Sequence, residues 1–108
     1  MKVKIKGVSI EVKRCNNFQK FKGLMFASRE KAKALLFDFS KPILTPIHSF
    51  FVFFPFVALW LDDKNKLLDL KLVKPFKFFI VPKKPYQKLV EIPINQRYEK
   101  VIKFLVDF

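Results

Sequence analysis

The chain has 108 residues, 51% of them hydrophobic and 17% aromatic, with 22 basic side chains against nine acidic ones for a net charge of +13. That hydrophobicity excludes an intrinsically disordered chain, and the length suits one small domain, expected to span residues 1–108. The charge points to an anionic partner or to a solvated lysine coat, and the lone Cys15 excludes an intrachain disulfide.

At the start of the chain, "KVKIKGVSIEVK" alternates apolar and polar residues on both sides of Gly7, which predicts a bent strand or a tight hairpin. The stretch lacks the apolar run of a signal peptide, so a cytoplasmic location is expected. After the polar "RCNN", Asn17 is a candidate cap for a short helix over "FQKFKGLMF", weakened by Gly23, and Ser28 for a turn over "REKAK". "ALLFDF" reads as a strand and "SKPILTP" as a loop.

Residues 43 to 61, "ILTPIHSFFVFFPFVALWL", are almost wholly apolar and pose the choice between a membrane span and a buried core. Pro46 and Pro55 would each break a helix, and His48 would be costly inside a bilayer. Residues 1–42 carry eleven basic side chains and residues 62–108 also carry eleven, so there is no positive-inside bias. Two buried strands, "HSFFVFF" and "FVALWL", are the better reading. Beyond them, "LDDKNKL" predicts a hairpin turn into the strand "KLLDLKLV". The strand "KFFIV", the loop "PKKPYQ" and the strand "KLVEI" follow. "NQRYEKVIKFL" has helical spacing with Asn95 as candidate cap, although "LVDF" would also suit an edge strand. The sum is a mainly β chain (β-rich α+β): a compact antiparallel β barrel or sandwich of about seven short strands with one or two short helices.

The chemistry is sparse. His48 is the only histidine and has no adjacent partner for acid–base or nucleophilic work. One Cys and one His cannot build a structural zinc site, two glycines cannot make a phosphate-binding loop, and no cofactor is expected. Asp38, Asp69 and Glu91 fall on predicted strands, where a basic chain would offer them lysine partners. The loop at 82–88 joins Lys83, Lys84 and Lys88 to Tyr86, a combination that can grip phosphates and stack a base. With Lys20 and Lys22, these residues are the candidates for binding nucleic acid or another polyanion.

The order of "KGLMF" (residues 22–26), "ALLFDF", "IHSFFVFFPFVALWLDDKNKLLDLKLVKPF" and "KLVEIP" resembles the DUF192 family, also called UPF0127, from about Val12 to Ile94. The resemblance implies a compact, mainly β domain without an assigned activity. Where many members carry a Trp-Met-Lys-Asn-like stretch, and an Asp after the central proline, this chain has His48, Ser49, Phe50 and Phe51, then Val57. The family motif nominates a second site, a pocket near Lys22, Gly23, Leu24, Met25, Phe26 and His48. Three functions stand against one another: a non-catalytic module for a polyanion such as RNA, a ligand-binding protein or enzyme using that pocket, and a homo-oligomeric interaction protein using surplus Phe surface.

Overall fold

The computed structural model describes residues 1–16 and 23–106. Lys20, Lys22 and the Asn17 cap lie outside the described residues.

The opening alternation forms a hairpin, β1 (Lys2–Ile5) and β2 (Val8–Glu11). Its two-residue turn places Lys6 and Gly7 at φ 51° and 81°, the positive pair that matches the twist of the flanking strands. Five further strands build one sheet: β3 (Lys13–Arg14), β4 (Leu35–Ile43), β5 (Phe56–Leu61), β6 (Leu67–Val73) and β7 (Tyr86–Pro93). Their order is β3-β4-β7-β5-β6; β3 joins β4 in parallel and the other neighbours are antiparallel. The chain is mostly β, and its two sheets do not close into a barrel. A 3-10 turn (Gln96–Tyr98) leads into the helix α1 (Glu99–Val106).

The apolar stretch is resolved by β5. All six of its residues are buried because both faces of the sheet are covered, which is why the strand reads as a continuous run rather than an alternation. Val57, Leu59 and Leu61 share one core with Val3, Ile5 and Ile10 of the hairpin and Tyr98 and Leu105 of the C-terminal segment. Phe56, Ala58 and Trp60 share the other with Phe37, Leu89 and Tyr86, roofed by loop residues such as Leu24, Val52 and Phe54. No helix among the described residues is long and apolar enough to cross a membrane.

Four local expectations are corrected. "HSFFVFF" and "KFFIV" are not strands: a single bridge joins Ile47 to Ile80. There Phe51, Phe76 and Phe79 take positive φ, which turns the chain out of the extended region. Ser49 replaces the ladder: its buried hydroxyl donates to the Lys74 carbonyl (2.6 Å) and accepts from the Lys77 N–H (2.7 Å). "ALLFDF" runs on as strand through Pro42, where a register shift between Asp38 and Ile43 removes the need for the missing N–H. Asn95 caps nothing with its side chain; its amide donates to the carbonyls of Arg29 (2.8 Å) and Ala32 (3.0 Å), tying the loop before β4 to the end of β7. The hairpin turn, in contrast, stands as expected. The Asp62 carboxylate accepts from the N–H groups of Lys66 and Lys64, which lower its pKa, and Asn65 supplies the left-handed residue.

Candidate functional site

Alternation along β7 sends Val90 and Ile92 into the hairpin-side core and leaves Leu89 and Glu91 on the loop-covered face. Glu91 lies across from Leu35 of β4 and Ala58 of β5, in the middle of the sheet. It is buried and has no ion-pair or hydrogen-bond partner among the described residues. Burial alone pushes its pKa from 4.5 up to about 8, because a carboxylate without compensating partners is disfavoured in a low dielectric. At neutral pH this side chain is mainly a carboxylic acid, able to donate as well as accept.

Glu91 lines a cavity of about 340 Å³ between the sheet and the loops. Phe37 and Phe39 of β4 and Leu89 of β7 supply its sheet side, and Leu24, Met25 and Val52 come from the covering loops. Gly23 sits over the acid at φ 54°; a Cβ there would stand 3.5 Å from Glu91 Oε1. Tyr86 borders the cavity and donates its hydroxyl proton to the Thr45 carbonyl at 2.7 Å. Its pKa is raised to about 12, first by burial and then by the nearby Glu91 charge. His48 is on the exposed rim, where its Nδ1 accepts from the Phe50 N–H at 3.2 Å, leaving the neutral ring's proton on Nε2.

The structure thus brings Gly23, Leu24, Met25 and His48 together around one cavity. Phe26 is outside it, mostly exposed. The 82–88 loop does not form the grip that its composition suggests. Tyr86 cannot stack a base because it is in the core, held edge-on to Phe39 and Trp60. Lys88 is half-buried and donates to Asn65 Oδ1 at 2.9 Å. Lys83 and Lys84 remain exposed. The three strand carboxylates do not converge: Asp38 pairs with Arg14 at 3.2 Å, Asp69 on β6 accepts from the Lys83 N–H, and Glu91 alone faces the cavity. Expecting lysine partners for all three missed Glu91. The signal was present in "KLVEIP", an acid flanked by apolar residues on a strand with no polar alternation.

Three larger hollows lie elsewhere, one lined by Lys13, Arg14, Lys33 and Arg97, one along α1 by Leu70, Leu72 and Ile102, and one beside β4 by Ser40 and Lys41. None is lined by a buried carboxylate or imidazole. Among the described residues no cluster of His, Cys, Asp and Glu is placed to hold a metal ion.

A UPF0127 protein of Pyrococcus furiosus is 31% identical over 89 residues, which cover 82% of this chain and 76% of that one. The chain belongs to the UPF0127 family. No family model matches it. Two crystal structures share the architecture. A protein of unknown function from Novosphingobium aromaticivorans superposes with a TM-score of 0.65 over 84% of this chain and 66% of that one, at 16% identity. A Sinorhizobium meliloti protein described as "a putative transcription regulator" gives a TM-score of 0.73 over 93% and 82% of the two chains, also at 16% identity. Likeness at that identity concerns the fold alone. As a UPF0127 member the chain joins relatives without an assigned activity, so function has to be argued from its own cavity.

Proposed function

We propose that this UPF0127 chain is a small-molecule-binding protein whose site is the cavity over Glu91. The observation that carries this reading is a buried, mainly protonated acid, without a partner among the described residues, facing a mostly apolar cavity. Leaving a polar group without a partner costs about 1–3 kcal/mol, and a ligand that accepts a hydrogen bond from the acid recovers that cost. The cavity's size is at the lower end of the range for small-ligand sites, and its walls call for an apolar body with one oxygen acceptor, such as a small ketone, ester or amide.

Acetophenone is a suitable probe, followed through the methyl NMR signals of Leu24, Val52 and Leu89. The expected result is shifts confined to those methyls at neutral pH, weakening above pH 8 as Glu91 ionises. No shifts at millimolar ketone, or shifts only beside α1, would refute the assignment.

A second reading, a polyanion such as RNA as partner, is favoured by the net charge of +13. It would use exposed lysines including Lys83 and Lys84, without Tyr86. Its test is RNA binding across a salt series; affinity that vanishes by physiological salt assigns the charge to solvation instead.

A further inference from the structure

Six phenylalanines are exposed on the three loops that roof the sheet: Phe26, Phe51, Phe53, Phe76, Phe78 and Phe79, the last two 69% and 78% exposed. Four of them are held as one ring cluster, and Phe78 packs separately. Phe26 stacks on Phe51 at 5.1 Å, Phe51 and Phe53 both meet the edge of Phe76 at 6.0 and 5.3 Å, and Phe78 meets Phe50 at 4.4 Å. The loops carrying them are fastened to each other, through the Phe26 N–H donating to the Phe51 carbonyl and through Ser49. Phe26, Phe51, Phe76 and Phe79 all have φ between 53° and 62°, a left-handed conformation that bulky residues avoid. Backbone strain is thus accepted at four positions whose rings face solvent, whereas inward packing would have given a reason for it. Chains that act alone rarely expose so large an apolar group.

The exposed Lys74 and Lys77 bracket Phe76 on the same loop. A second copy of the chain would bring like-charged lysine rims together on a protein of charge +13. Charge complementarity instead selects an anionic surface, and rings projecting from several loops beside lysines suit a bilayer interface. There the rings enter the headgroup–acyl boundary while ammonium groups meet lipid phosphates. We propose that this Phe-rich loop face docks the protein on anionic lipid membranes. The face is distinct from the Glu91 cavity, and the proposal does not depend on ligand binding there.

The test is co-sedimentation of the full chain with phosphatidylglycerol vesicles and with phosphatidylcholine vesicles. Comparison is with a Phe78→Ser/Phe79→Ser variant and a Lys74→Glu/Lys77→Glu variant. Each altered ring or ammonium group is exposed, and matching circular dichroism melts establish that each variant folds. The parent is expected to prefer phosphatidylglycerol. Losing two interfacial rings should weaken binding about tenfold or more, and reversing two charges should weaken it by at least about 25-fold, since one lysine near an anionic surface contributes roughly fivefold. Binding of the serine variant equal to that of the parent would overturn the proposal by showing adsorption through charge alone. So would sedimentation velocity showing a dimer that the serine variant abolishes, or single-stranded RNA binding that needs Phe78 and Phe79 when vesicle binding does not.

Discussion

Replacing Glu91 with Gln keeps the shape of the side chain and removes its titration. In the parent the group goes from a pKa of 4.5 in the unfolded chain to about 8 in the fold. Between those values the folded state holds a proton that the unfolded state has released, so stability falls with rising pH. The contribution is fully present below pH 4.5 and is lost as pH rises through 8. The slope is about 1.4 kcal/mol per pH unit, on the order of 5 kcal/mol across the interval. Urea unfolding of parent and Glu91→Gln, in matched buffers from about pH 4.5 to about pH 9, measures it. Charge repulsion across the surface changes alike in both proteins and cancels in their difference, and Tyr86 titrates above this window. The Glu91→Gln variant is expected to gain on the parent steadily, reaching several kcal/mol at the alkaline end. A stability difference that stays flat with pH would refute the buried acid with its raised pKa.

Other residues give separable tests. Asn95→Ser and Asn95→Ala should lose stability equally, about 2 kcal/mol from two buried amide bonds; a neutral serine in urea unfolding would restore the capping role. Ser49→Ala should cost about 2–3 kcal/mol because the Lys74 carbonyl and Lys77 N–H both lose their side-chain partner, and a loss under about 0.5 kcal/mol would show that the loops are joined by other means. Gly23→Ala should cost about 1–2 kcal/mol, from its left-handed φ rather than from crowding at 3.5 Å, with calorimetry as the check. Phe79→Asn should gain up to about 1 kcal/mol by easing the same backbone penalty; destabilisation in urea would mean that the ring packs more than its exposure indicates.

The sequence made the sheet interior legible because β5 must be apolar on both faces, and the hairpins because Gly7 and Asn65 supply the positive φ their turns need. Strand propensity misled where Phe was most frequent. "HSFFVFF" and "KFFIV" have strand composition, but their partners are loops, and the pairing is decided by Ser49, a residue with no propensity signal. Asn95 precedes a helical pattern as a cap would, yet its partners lie over 60 residues away in Arg29 and Ala32. The cavity was half legible. The family motif located Gly23, Leu24, Met25 and His48, but the acid beneath them, for which a lysine partner is the sequence expectation, was not legible because burial of a single strand position depends on the loops above it. Tyr86 failed for the same reason: beside two lysines it reads as a surface aromatic, and only the register of β7 shows that it points into the core.

The most direct test of the cavity is a carbon-13 NMR titration of the Glu91 side-chain carboxyl, with and without acetophenone. The account predicts a midpoint near 8 in the free protein, raised further by the ketone because an acceptor binds only the protonated acid. A midpoint near the ordinary 4.5, or one that saturating ketone leaves in place, would contradict it.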